Sequence, residues 1–179
     1  MKYNIILVIV IALVLSCTEP KARKPIVQKT SSFLKESIER NKTINKSEEK
    51  AFLNLIKSDT LHEYISSENG FWYYYNTKNT IQTPLPKKGD EAIYTYEIKD
   101  IRGEVIYTSE ELGERNYLID KQELITGLQD GLKLMQKGET ITFLFPSYKA
   151  YGYSGYKKIN SNQPLIYTVT LKDLLPSKQ

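Results

Sequence analysis

Residues 125–152 read ITGLQDGLKLMQKGETITFLFPSYKAYG, and two periodicities meet inside that stretch. Leu124, just before it, joins Ile125, Leu128, Leu132 and Met135 at helical spacing, and Gly138 stands where a helix C-terminus favours glycine. The period then changes to two, with Ile141, Phe143 and Phe145 sharing one face as strand residues do. Downstream, Leu165, Tyr167, Val169 and Leu171 repeat the alternation. Upstream, Ala92, Tyr94, Tyr96 and Ile98 show it again, after a break at Pro84, Pro86 and Gly89. Arg102-Gly103 turns that strand back into Val105-Ile106-Tyr107, and residues 116–119 make another short strand. An aromatic strand over 71–76 follows a turn at Asn69-Gly70. The pattern predicts an α+β domain over residues 69–176, an antiparallel sheet of about five to six strands wrapped over one short helix.

Residues 17–68 read as a tether and a short helical arm. The stretch 18–28 carries Pro20, Pro25 and several basic side chains without apolar period, as an extended tether does. Ser32 opens one short helical pattern and Ser47 a second, in which Glu48 and Glu49 suit a helix N-terminus. Phe52, Leu55 and Ile56 share a face there, either for dimerisation or docking, or for packing on the neighbouring domain. At the start, Lys2 precedes an unbroken apolar run over 5–15. That run is shorter than the roughly 20 residues a membrane-spanning helix needs. It fits a secretory signal over residues 1–16.

Val14-Leu15-Ser16-Cys17 resembles a bacterial lipobox, so the single Cys is expected to be lipidated and to begin the mature chain. Acyl chains add about 0.8 kcal/mol of membrane affinity per buried CH₂, enough for several together to anchor stably. Thr18 rather than Asp follows Cys17, which implies sorting to the outer membrane. Residues 18–23 lack the dense acidic cluster of surface export, so the folded part is expected to face the periplasm.

Composition excludes several functions. The net charge of +4 falls by one when Lys2 leaves with the signal, and is interleaved with Glu and Asp, so nucleic acid is not an expected partner. One Cys permits no internal disulfide, and one His leaves no His/Cys metal cluster, so neither metal nor cofactor is expected. His62 reads as a solvated surface residue. The 14 Tyr are the unusual feature, because Tyr joins an apolar ring to a polar tip and suits a half-exposed groove as well as a strand.

Six pieces recur in order between Pro86 and Leu175. Lys87-Lys88-Gly89-Asp90 leads into the first long strand, Gly103 sits in its hairpin, and residues 125–135 roughly resemble the motif V-I-x-G-W-x-x-G-hydrophobic-x-x-M. Lys137-Gly138-Glu139, the P-x-x-x-A-Y-G loop from Pro146 to Gly152, and Pro164-Leu165-Ile166-Tyr167 complete the series. Together they resemble the FKBP-type peptidyl-prolyl cis–trans isomerases. The resemblance implies catalytic roles for Tyr151, Tyr96, Leu124 and Ile125, with Tyr151 donating a hydrogen bond to the substrate carbonyl. It implies substrate contacts from Ile106, Tyr107, Tyr117, Leu128, Ile159 and Tyr167. Alternating strand aromatics also bury as core, so Tyr96 and Tyr167 carry both readings. Tyr107 stands where the family has Asp, and Leu128 where it usually has Trp.

The layout of lipobox, arm and Phe71-Trp72-Tyr73, with residues 35–42 and 138–146, resembles more narrowly the gliding-motility lipoproteins of gliding Bacteroidetes. The implied activity is prolyl isomerisation that helps extracytoplasmic proteins fold, linked to gliding. Its partners would be proline-containing polypeptide clients, the membrane through Cys17, and components of a gliding machinery. A non-catalytic chaperone or scaffold is the other reading.

Overall fold

The computed structural model describes residues 28–81 and 83–177. The signal segment, Cys17 and most of the tether lie outside the described residues. Of the described residues, those from Ile38 onward form one compact unit.

The arm is one helix rather than two short ones. Helix α1 runs Gln28–Ser58, 31 residues that contain neither Gly nor Pro to interrupt it. Ser47 is therefore interior, its hydroxyl donating to the Ile44 carbonyl instead of capping a new start. Among the described residues no helix is long and apolar enough to cross a membrane. Asp59 ends α1 by accepting from the Leu61 N–H and the Tyr64 hydroxyl and pairing with His62 Nδ1 at 2.8 Å. His62 is exposed, as expected of a surface residue, and its ring also stacks on Tyr74 at 4.0 Å.

Seven antiparallel strands follow among the described residues: β1 Ile65–Ser66, β2 Trp72–Thr77, β3 Glu91–Asp100, β4 Val105–Tyr107, β5 Arg115–Leu118, β6 Thr140–Phe145 and β7 Leu165–Leu175. Their order is β1-β2-β6-β7-β3-β4, with β5 also pairing β3. The expected α+β architecture is present, with one strand more than expected because the two-residue β1 joins the edge. The alternation in β3 and β7 buries Ala92, Tyr94 and Ile98, and Leu165, Tyr167, Val169 and Leu171. Asp100 and Glu104 frame the hairpin, where the Asp100 carboxylate accepts from the Arg102 and Glu104 N–H groups.

Two short helices complete the domain, α2 Ser109–Leu112 and α3 Thr126–Leu132. Helix α3 is shorter than its apolar pattern, since Leu124 and Ile125 precede it and Met135 follows it. Gly138, at φ 88°, serves the turn into β6 instead of ending α3. Gly127, Leu128, Gly131 and Leu132 are the buried face of α3, packed into one core with Phe71, Ile141, Phe143 and Phe145. On β2, Trp72 lies opposite Leu144 in the register, and the Phe52 ring of α1 meets it at 5.9 Å. Alternation puts Trp72 and Leu144 on the sheet face opposite that of Phe143 and Phe145.

Candidate functional site

Strand β3 aims Tyr94 and Tyr96 inward, and β5, paired beside it, contributes Tyr117. With Tyr107 at the end of β4, Leu124 before α3, and Tyr151 and Tyr156 from the long β6–β7 connection, they line a cleft of about 380 Å³. Arg115, Glu123 and Lys157 stand among its polar lining.

The cleft therefore gathers five of the ten residues implied by the resemblance: Tyr96, Tyr107, Tyr117, Leu124 and Tyr151. The other five do not line it. Leu128, Ile159 and Tyr167 are at most 3% exposed and belong to the core beneath, and Ile106 and Ile125 are half-buried against that core. The two readings of Tyr96 and Tyr167 thus separate, Tyr96 as lining and Tyr167 as support. Their rings stack at 5.6 Å and 6°. Tyr167 also packs on Phe145 at 5.4 Å.

Tyr94, Tyr156, Arg115, Glu123 and Lys157 went unnoticed in the sequence. Tyr94 had a signal, the same inward alternation as Tyr96, and its ring lies 5.6 Å away. Tyr156 and Lys157 sit in an aperiodic loop that offers none. Gly155 shapes that loop at φ 62°, where a Cβ would stand 2.6 Å from the Ile159 carbonyl oxygen, so no side chain fits. Tyr156 then stacks on Tyr151 at 5.3 Å and 10°.

A clasp closes the loop over β4. The Lys158 N–H donates to the Tyr107 hydroxyl at 3.2 Å, and its ammonium lies 4.8 Å from the Tyr107 ring centre and 3.2 Å from Glu111. Glu111 is fixed by a reciprocal cap with Thr108 at the start of α2. Tyr107 thus has a positioning task that an Asp could not perform in the same way.

Two hydroxyls of the cleft, those of Tyr94 and Tyr96, are held neutral. Burial pushes the Tyr96 phenol above its ordinary value, with Tyr151 adding to the effect and Arg115 opposing it. Burial raises Tyr94 and Tyr167 further. Neutral phenols in an aromatic cleft can donate hydrogen bonds to a carbonyl and exclude water; the site offers no activated nucleophile.

Residues 83–172, half of the chain, match the family model described as FKBP-type peptidyl-prolyl cis-trans isomerase. The chain is 32% identical over 93 residues to the FKBP-type peptidyl-prolyl cis-trans isomerase FkpA of Escherichia coli, in three strains. That match spans 51% of this chain and 34% of the relative, so the chain covers about a third of the length of the curated relatives it matches. The crystal structure of FkpA from Escherichia coli superposes with a TM-score of 0.62 at 22% identity, over 99% of this chain and 84% of that one. A peptidyl-prolyl cis-trans isomerase from Pseudomonas syringae gives 0.61 at 19%, over 75% of this chain and 96% of that one. With the family model spanning β3 to β6, most of β7, α3 and the whole cleft, the chain belongs to the FKBP-type peptidyl-prolyl cis–trans isomerase family.

Proposed function

We propose that this chain catalyses cis–trans isomerisation of X-Pro bonds and so assists the folding of extracytoplasmic proteins. The observation that carries the reading is the convergence of Tyr96, Tyr107, Tyr117, Leu124 and Tyr151 on one cleft. The physical problem is amide resonance, which gives a rotation barrier of about 18–20 kcal/mol and leaves X-Pro bonds interconverting over tens to hundreds of seconds. Water stabilises the planar, polar ground state. An aromatic cleft that strips that water favours the twisted transition state, which has lost most of the amide dipole. Tyr151 supplies one oriented hydrogen bond to the carbonyl, and Tyr96 and Tyr117 form the walls. No covalent step is required.

The apolar run ending at Cys17 supports a lipid-anchored, periplasm-facing protein, with the outer membrane favoured by Thr18. The likeness of residues 35–42 and 138–146 to the gliding-motility lipoprotein GldI supports clients among the envelope components of a gliding machinery. A non-catalytic chaperone or scaffold remains the second reading, favoured by one observation: Tyr107, where the family has Asp, is occupied in holding Lys158.

A protease-coupled proline-peptide assay tests the proposal, run with several residues before Pro. Isomerisation faster than the uncatalysed rate is expected. A chain that suppresses aggregation of a refolding protein yet never exceeds that rate would establish the scaffold reading instead.

A further inference from the structure

Glu48 lies on α1, outside the segment 83–172 that matches the family, yet it reaches the loop that carries Tyr151. Its carboxylate accepts two hydrogen bonds from a single residue, the Ser147 N–H at 2.8 Å and the Ser147 hydroxyl at 2.6 Å. Both residues are buried, Glu48 being 5% exposed and Ser147 2%. Hydrogen bonds to a carboxylate are roughly twice as strong as neutral ones. The loop is fastened elsewhere from other sides. The Tyr148 hydroxyl donates to the Gly70 carbonyl at 3.1 Å, and the Lys149 ammonium meets Asp130 at 3.1 Å. The Asn162 N–H donates to the Gly152 carbonyl at 2.8 Å. Tyr151 sits between these anchors.

The geometry points to Glu48 as a positioning residue for Tyr151: a carboxylate of the N-terminal arm that sets the loop from Pro146 to Gly152, and through it the hydroxyl that meets the substrate. This rests on the isomerase reading of the cleft. Without the carboxylate, the Ser147 N–H and hydroxyl are left in a buried place without their acceptor. The loop relieves this by opening to water, which moves Tyr151 away from the cleft wall. The docking of α1 and the competence of the cleft are thereby coupled.

A double-mutant cycle on the full chain tests it. Glu48→Ala is expected to lower kcat/KM on a proline peptide about three- to tenfold in the wild-type background, but less than about twofold beside Tyr151→Phe. The second variant has already lost what the first positions. Glu48→Gln keeps an acceptor for the Ser147 N–H and can donate to its hydroxyl oxygen, so activity within about twofold of wild type is expected. Equal losses in both backgrounds, or full activity in Glu48→Ala, overturn the proposal. Should Glu48→Ala not fold, Ser147→Ala, which removes only the 2.6 Å bond, takes its place in the cycle. Amide hydrogen exchange separates this inference from the isomerase reading. Even in a chain without measurable turnover, Glu48→Ala must speed exchange across residues 147–152 by about tenfold while β5 is unchanged. Unchanged exchange there overturns the proposal.

Discussion

A Cβ placed on Gly127 would stand 2.7 Å from Cδ1 of Phe145, a separation that side chains essentially never show. The same holds more mildly one turn on, where a Cβ on Gly131 would lie 3.0 Å from the Phe143 ring. These contacts explain why a helix of seven residues carries two glycines: α3 is pressed against β6 at van der Waals distance. Helix propensity favours Ala over Gly by about 1 kcal/mol, but overpacking a core costs about 1–3 kcal/mol. The ring of Phe145 cannot retreat freely, because it stacks on Phe143 at 5.3 Å and packs on Tyr167. Gly127→Ala is therefore expected to destabilise the chain by about 1–3 kcal/mol. Urea unfolding checks it, and a gain in stability would show that the strand gives way more easily than this packing implies.

The arm is expected to belong to the cooperative unit of the sheet. Phe52 is fully buried against Trp72, the only Trp of the chain, so tryptophan fluorescence reports directly on its docking. Phe52→Ala should cost about 3–5 kcal/mol of global stability. If α1 docked as a separate element, fluorescence would change at low denaturant while the sheet's circular dichroism kept the wild-type midpoint.

The knot at the end of α1 makes a prediction about acid. The hydrogen bond from His62, then those from the Leu61 N–H and the Tyr64 hydroxyl, hold the Asp59 carboxyl down at about 2 against an ordinary 3.8. A depressed folded value means that the ionised form is favoured by folding. Its contribution is present in full above the unfolded value and is lost as pH falls through the folded one. The difference in Tm between wild type and Asp59→Asn should therefore shrink between pH 4 and pH 2 and be constant from pH 5 to pH 6. Taking the difference removes the effect of other depressed carboxyls such as Asp90 and Asp100. A difference independent of pH over that window would mean that the carboxylate is not what ties the knot.

Anchoring is tested at the one cysteine. Cys17→Ser is expected to abolish palmitate labelling and leave an unprocessed chain. Equal labelling of the Ser variant would remove the lipoprotein reading without touching the isomerase reading.

The inward faces of β3, β6 and β7 were legible because a pleated strand alternates strictly, so Tyr96, Phe143 and Val169 could be placed from spacing alone. The arm was not. Ser32 and Ser47 look like helix starts, and only the absence of Gly and Pro over 28–58 argued for one continuous helix. The cleft was half legible, for a physical reason. Its walls and the core beneath it are built from the same residue types, so periodicity cannot tell Tyr96 on the wall from Tyr167 below. Glu48 gave no signal of its role, because its partner lies 99 residues away and only the fold brings them together.

That division between wall and floor can be read in two hydroxyls. The Tyr151 hydroxyl lines the cleft, and its proposed task is one hydrogen bond to the substrate carbonyl. A neutral bond contributes about 0.5–1.5 kcal/mol net, so Tyr151→Phe should lower kcat/KM roughly two- to twelvefold and leave stability nearly unchanged. Tyr167 should behave in the opposite way. Its hydroxyl is fully buried and has no partner in hydrogen-bond geometry among the described residues, although the Tyr151 hydroxyl is a polar neighbour. A buried, unpaired polar group costs about 1–3 kcal/mol, so Tyr167→Phe should raise the midpoint of unfolding while the ring keeps its stack on Tyr96. Activity should stay within about twofold of wild type, since the ring remains and only the hydroxyl goes. Measured side by side, the two variants distinguish lining from support: one loses rate without stability, the other gains stability without losing rate. A Tyr167→Phe chain that is less stable and as impaired as Tyr151→Phe would mean that the two hydroxyls act as one hydrogen-bonded unit, and would move Tyr167 from the floor into the site.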